Sequence, residues 1–426
     1  MSPTFTSLHV RNYRLYATGG LVSNIGTWMQ RVAQDWLVLQ LSGHSGVALG
    51  ITTGLQFLPM LLLAPFAGTL ADRFSKRKVL MVTQASMAVV GAVLGLLDIT
   101  GVVEVWHVFL LALLLGVAAA VDAPARQSFV IEMVGRDDVQ NAVALNSASF
   151  NLGRVIGPAV AGFLIVFVGT GPVFLINAAS FGAVIFALKK MRVADLVPVP
   201  RAQRGKGQVF EGIRYVRRRP DLLMVMIVVF FVGTFGLNFQ LTSALMATQV
   251  FHKGAGAYGI LGSIMAIGSV SGALLSARRG RPRLRLIIAA AVAFGLVEVV
   301  AGLMPTYLAF VALLIPLGLC QMTLLNSANA MVQLGVDPVM RGRVMALYMA
   351  VLMGGTPFGA PLIGALAEAF GARWALIAGG LISASAALIA AAVLARRADV
   401  QMRGELFGVP RRSVREQELA DLAVQR

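Results

Sequence analysis

"GTLADRFSKRKVL", residues 68–80, sets Asp72, Arg73, Lys76, Arg77 and Lys78 close together in a chain that is 58% hydrophobic. Apolar runs of about 20 residues, each long enough to cross a bilayer core, press in from both sides. A charged hairpin between two such runs reads as a loop joining membrane spans, and that reading decides the fold class. Only 13% of the 426 residues are charged, against roughly 25% in soluble domains. The mean hydropathy is +0.79. Together these values exclude a string of soluble domains and indicate a polytopic, all-α membrane protein.

Twelve transmembrane helices fit the pattern, at residues 13–41, 47–70, 79–98, 104–125, 139–168, 171–190, 221–248, 256–277, 285–304, 306–332, 342–369 and 372–395. The connections 41–47, 98–104, 168–171, 248–256, 304–306 and 369–372, with their flanks, hold only Lys253 and Arg373. The other connections and both tails hold nearly all the remaining Lys and Arg. Basic loops are retained in the cytoplasm, so both termini are expected there, beside the 68–80 hairpin. The net charge of +17 then reflects topology. Nucleic acid is not an expected partner, since binding it takes a basic face on a folded soluble domain. The first apolar run, from near Leu15, is longer than the core of a secretory signal, so no leader is expected. Cys320 stands alone, and His9, His44, His107 and His252 are scattered, so neither a disulfide nor a metal site is expected.

Residues 189–220 divide the chain. The segment is polar, contains Pro198, Pro200 and Pro220, and ends in "EGIRYVRRRP", which reads as a short amphipathic helix at the membrane surface. A solvated linker whose charges meet lipid headgroups is the default reading of the segment. The expected organisation is an N-terminal six-helix half (1–188), the basic linker (189–220), a second six-helix half (221–395) and a cytoplasmic tail (396–426). An internal repeat supports the two halves. At an offset of 202 positions Gly116 meets Gly318, and Ala144 and Leu145 meet Ala346 and Leu347. Gly153, Gly157, Gly162 and Gly169 then meet Gly355, Gly359, Gly364 and Gly371. Two pseudo-symmetric halves related by an axis along the membrane normal form a transporter architecture, with the substrate between them near the midplane.

These residues resemble the major facilitator superfamily over essentially the whole chain. Gly68, Asp72, Arg73, Lys76 and Arg77 match its signature between spans two and three, with Ser75 where glycine is usual. The second-half counterpart "GALLSARRGRPRL" keeps Gly272 and the positive charge but has Ser276 in the acid's place. "GRVIGPAVAG" is similar to the glycine-proline motif of exporters, carried by Gly153, Gly157, Pro158 and Gly162. "NYRLYATGGLVSNIGTWMQRVAQDWLVLQL" and "NAVALNSASFNLGRVIGPAVAGFLI" look like a bacterial branch of enterobactin and macrolide exporters. The resemblance implies the major facilitator fold in the bacterial inner membrane. It implies export of an amphipathic small molecule, a siderophore or a drug, by alternating access, with a lipid or other metabolite as cargo, or uptake in place of export, as the runner-up. The energy source would be the proton gradient with no cofactor, and the partners the lipid bilayer and the small-molecule substrate. A monomer is expected. Exporters of the wider superfamily often carry an arginine four residues before a span-four glycine. Here Ala112 precedes Gly116 at that spacing, which leaves proton coupling through that position open.

Ionisable residues inside spans are costly and point to function. Asn24, Trp28, Arg31 and Asp35, spaced 4, 3 and 4, share one face of span one. Arg31 and Asp35 lie one turn apart and can pair. Such a pair is either structural or the means by which Asp35 exchanges a proton under the influence of Arg31. Span five repeats the pattern with Ser147, Asn151, Arg154 and Pro158, while Gly153 and Gly157 form a GxxxG that admits a neighbouring backbone. Arg154 is either a cavity cation for an anionic substrate or the partner of an acid on another helix. Glu298 in span nine is either a second proton site or an interhelical hydrogen-bonding group. Asn238, Gln240, Gln321, Asn326 and Asn329 are further amides that line a cavity or bond between helices.

Two readings of the 68–80 hairpin stand side by side. In one, its basic residues only fix topology. In the other, Asp72 bonds the N-terminal end of span eleven, and its basic neighbours pair with Asp122 or Glu132 only when the cytoplasmic ends meet, latching an outward-open state. "GAGAYG" at 254–259 matches a nucleotide-binding G-x-G-x-x-G but sits in an expected outward loop, not after a strand. No nucleophile and base converge at useful spacing, so no enzyme is expected. A non-transporting membrane sensor or scaffold is the rival from another class. It gives no reason for Arg31, Asp35, Arg154 and Glu298 to lie at depth.

Overall fold

Inside a bilayer every backbone amide must bond within its own segment, which long helices achieve. A computed structural model describes residues 3–135, 137–197, 208–278 and 283–406, without the side chains of 3–4, 64–72, 208–209 and 397–406. The first half holds α1 (Arg11–Leu41), α2 (Gly46–Arg73), α3 (Lys76–Ile99), α4 (Val105–Val134), α5 (Val139–Val168) and α6 (Thr170–Lys190). A short helix α7 (Gln208–Arg218) follows. The second half opens with a broken span, in which α8 (Pro220–Phe231) and α9 (Phe239–Leu245) are joined and ended by π-helical turns at Val232–Gly236 and Met246–Val250. Then come α10 (Ala255–Ala277), α11 (Leu284–Leu303), α12 (Tyr307–Gly335), α13 (Pro338–Gly354), α14 (Thr356–Phe370) and α15 (Ala372–Leu406).

Among the described residues, 11 helical segments are long and apolar enough to cross a membrane. The expected count was twelve. The remaining segment, α1, has 31 residues, ample length for a crossing, but its polar face lowers its hydropathy. Two boundaries also move. Helix α15 runs on to Leu406, past the expected start of the tail at 396, and "GAGAYG" opens α10 instead of forming a loop. Large apolar side chains such as Phe167, Leu274 and Leu308 are exposed around the bundle, as a lipid-facing surface requires.

Glycine pairs one repeat apart do the same job in each half. Gly153 and Gly157 pack on α1 at Asn24 and Trp28, while Gly355 and Gly359 pack on Thr234 in the broken span. Gly116 abuts the Gln56 carbonyl of α2, and Gly318 abuts the Met265 carbonyl of α10. Gly169 and Gly371 both take a positive φ, 79° and 94°, between consecutive spans, a conformation that suits glycine.

The end of the bundle where α1 begins is termed the near end, and the opposite end the far end. At the far end the halves are closed against one another, α2 against α14 and α5 against α10. A Cβ on Gly50 would lie 2.5 Å from the Ala360 carbonyl oxygen, and one on Gly162 would lie 2.9 Å from that of Ala255. Only small residues allow this approach. Ser45 Oγ donates to Glu368 at 2.5 Å, the Val47 amide donates to the same carboxylate at 3.1 Å, and Gln249 Nε2 donates to the His44 carbonyl at 2.8 Å. Glu368 of the second half thus sits on the N-terminal end of α2, where the helix dipole favours an anion.

Candidate functional site: a charged face across the two halves

The face predicted on α1 forms, because side chains three and four apart on a helix project together. Gly153 and Gly157 bring α5 against its backbone, which anchors Trp28. Asn24 donates to Ser149 Oγ of α5 at 2.9 Å. Trp28 meets Phe150 edge-on, with ring centroids 5.6 Å apart. The Arg31 guanidinium lies over the Trp28 ring at 4.9 Å and beside Phe57 of α2 at 5.6 Å. Arg154 approaches the same indole at 5.9 Å, and its Nη2 lies 3.4 Å from Gln321 Oε1 on α12.

The expected Arg31–Asp35 pair does not form within 4.0 Å. Asp35 turns instead to the second half, where the Tyr258 hydroxyl of α10 donates to its Oδ2 at 2.7 Å. Trp36 stacks on the Tyr258 ring at 6.5 Å. Asp35 is buried at 9% exposure, so this bond is shielded from water. Arg31 takes its contacts from the aromatic faces of Trp28 and Phe57. The cation–π arrangement is worth about 0.5–2 kcal/mol per contact.

A recess of about 460 Å³ adjoins this face. Tyr16, Gly20 and Asn24 of α1, Gln127 of α4, and Asn146 and Asn151 of α5 line it. Asn151 itself donates to its own helix, at the Ser147 carbonyl, at 2.9 Å. Arg126 also lines the recess and was missed in the sequence. It binds Asp122 through two nitrogens at 3.0 and 2.8 Å, and Asp122 accepts further bonds from Thr83 and Gln84. The signal was present: Asp122 and Arg126 stand four residues apart in one helix.

Glu298 stands apart from this group. It is buried at 1% exposure on α11, beside Gly236 of the π-helical turn and Gly379 of α15. Among the described residues its Oε2 and the nearby Ser383 Oγ have no hydrogen-bond partner. Its place is inside the second half, enclosed by α11, the π-helical turn and α15, apart from Asp35 and Arg31.

The basic hairpin acts within the first half. Lys76 forms an ion pair with Glu132 at the end of α4. Arg77 donates to the Leu188 and Lys189 carbonyls at 2.6 and 3.3 Å, occupying acceptors that the end of α6 leaves open. Arg73 lies against Phe74. The Lys76–Glu132 pair is therefore a contact within the first half, made while the far end is closed. Asp122 is taken by Arg126. The side chain of Asp72 lies outside what the structure describes, and Gly68 is seen only as backbone of α2. Pro158 and Gly162 of the glycine-proline motif face α10, where a Cβ on Gly262 would lie 3.1 Å from the Pro158 ring. That motif thus serves two neighbours, α1 through Gly153 and Gly157 and α10 through Pro158 and Gly162.

A family model described as "Transmembrane secretion effector" matches residues 2–426. The chain is 26% identical over 253 residues to the staphyloferrin A transporter of Staphylococcus aureus, an alignment covering 59% of this chain and 63% of that one. It is 27% identical over 364 residues to the multidrug efflux pump Tap of Mycolicibacterium fortuitum, covering 82% and 88%. Among solved structures, a bacterial homologue of the human lysosomal transporter Spinster, inward-facing and unoccupied, superposes with a TM-score of 0.71 at 14% identity. That superposition covers 92% of this chain and 97% of the other.

Proposed function

Since the chain belongs to the transmembrane secretion effector family of the major facilitator superfamily, we propose that it exports an amphipathic small molecule, of siderophore or drug class, by proton-coupled alternating access. It is a multi-pass transporter of the bacterial cell membrane and not an enzyme. In this reading α1 is a twelfth span, both termini are cytoplasmic, and the near end faces the cytoplasm. The closed far end then marks an inward-facing state. The two halves, 1–188 and 221–395, rock about the midplane face.

The Tyr258–Asp35 bond carries the proposal. It joins the halves beside the charged face, and it can exist only while α1 and α10 stay together at that level. A carboxylate that gains or loses a partner with conformation has different free energies of protonation in the two states. By linkage, protonation then biases the conformational equilibrium. The proton gradient needs no other cofactor to act through such a group.

Efflux from proteoliposomes with an imposed pH gradient tests this. Asp35→Asn should abolish proton-driven efflux and leave exchange of substrate down its own gradient largely intact. Wild-type proton-driven efflux from Asp35→Asn would overturn the assignment. Loss of both modes with poor expression would make the Tyr258–Asp35 bond a structural brace.

A further inference from the structure

Arg31 and Arg154 converge on one indole, and neither forms an ion pair among the described residues; Asp35, one turn along α1, acts on Arg31 only from beyond contact distance. Their guanidiniums lie 4.9 and 5.9 Å from the Trp28 ring centroid, and neither has a carboxylate oxygen within 4.0 Å among the described residues. The acids at similar depth are engaged or elsewhere. Asp35 accepts from Tyr258, Asp122 is held by Arg126, Thr83 and Gln84, and Glu298 is enclosed in the second half. Among the described residues the one polar contact of Arg154 is the long bond to Gln321 at 3.4 Å. Two cations at the face of one ring repel one another, and the ring quadrupole offsets only part of the cost of holding them away from bulk water.

From this we infer that the midplane face is a binding site for an organic anion, whose carboxylate or chemically similar oxyanion lies between Arg31 and Arg154. The inference rests on the transport reading above and narrows its substrate class. Guanidinium presents a planar fork of donors that matches an oxyanion bidentately. Gln321 adds a side-chain amide from the second half, so an anion held here touches both halves. The body of the ligand fits the adjoining recess, where Phe150 supplies an aromatic wall and Asn24, Asn146 and Asn151 supply polar contacts. Cationic amphiphiles meet two like charges at the same place, which costs them affinity. Trp28 is both the platform for the cations and a stacking surface for an aromatic ligand.

The site is tested by binding to the purified full-length protein in nanodiscs, with three probes of one size: 2-naphthoate, its uncharged amide, and 2-naphthylmethylammonium. Naphthoate should bind at least about tenfold tighter than the amide, and the ammonium weaker than both. Arg31→Gln and Arg154→Gln should each weaken naphthoate by about tenfold or more and weaken the amide by much less, since only the anion loses a charge partner. Arg154→Lys, which keeps the charge and loses the fork, should fall between, and thermal melting confirms that each variant is folded. Equal or tighter binding of the ammonium, unchanged naphthoate affinity in both glutamine variants, or displacement of naphthoate by chloride at equal concentration would overturn the site. Transport is read separately. Naphthoate binding without transport of any organic anion overturns the export reading and leaves the site standing, whereas proton-driven efflux without naphthoate binding does the reverse.

Discussion

Tyr258 donates a 2.7 Å hydrogen bond to Asp35 across the boundary between the two halves, joining residues 223 positions apart in the chain. The bond ties a group in the second turn of α10 to the charged face of α1. Removing the hydroxyl in Tyr258→Phe keeps the ring and its stacking on Trp36. A hydrogen bond to an ionisable group is worth about 1.5–3 kcal/mol, enough to change a two-state ratio by tenfold or more. Tyr258→Phe should therefore raise the population open at the far end, read as spin-label distances between α5 and α10. An unchanged distance distribution would remove this bond from the conformational equilibrium.

The approach of α5 and α10 depends on glycine. A Cβ on Gly259 would lie 2.9 Å from Gly162 Cα and closer still to the Pro158 carbonyl. Gly259→Val should hold the far end apart, increase reactivity of cysteines placed there, and stop transport while the protein still inserts. Retained transport with normal far-end closure would show that the helices can yield at this point.

Glu298 offers a different outcome. Its carboxyl is enclosed without a partner for Oε2, and a buried polar atom left unpaired costs about 1–3 kcal/mol. Glu298→Gln should leave proton-driven efflux within about twofold of wild type, because Glu298 is separate from the Asp35 face. Loss of proton-driven efflux in a normally expressed Glu298→Gln would instead make it a second proton carrier.

Orientation is checked with single cysteines in a Cys320→Ser background. Cys at Ser75, in the turn between α2 and α3, should react only after the cytoplasmic face is exposed. Cys at Lys253, before α10, should react from outside intact cells. Ready labelling of position 75 from outside would invert the topology.

The polar face of α1 was legible because helical spacing alone aligns Asn24, Trp28, Arg31 and Asp35. Its partner was not. Tyr258 lies in a stretch of glycine and alanine that matched a nucleotide-binding pattern, and a contact across 223 positions leaves no periodic trace in the sequence. The repeat of glycines was legible and marks equivalent helix crossings in both halves. Glu298 was rightly read as deep, but α11 is apolar nearly all round, so no stripe reveals which neighbour it faces. The π-helical turns at Val232–Gly236 and Met246–Val250 were illegible for a similar reason. The span is apolar enough to cross as one helix and its polar residues, Asn238 and Gln240 among them, mark no break; the first turn packs on α14 and α15 and the second on α15.

The connector between the halves is fastened at both of its ends. On one side Arg192 exchanges hydrogen bonds with Asn12 at 2.9 and 3.0 Å, and the Val197 amide donates to the Glu132 carbonyl at 2.8 Å. On the other, α7 is held to α13 by an Arg343–Glu211 ion pair and by Tyr215 donating to Asp337 at 3.1 Å. Between the last bonded residue on the first side, Val197, and the start of α7 lie only positions 198–207. At no more than about 3.6 Å each they reach on the order of 40 Å, whatever path they take. The connector is therefore a leash of fixed length, and it sets a mechanical limit on the stroke: the near ends can part no farther than it allows unless one mooring is cast off.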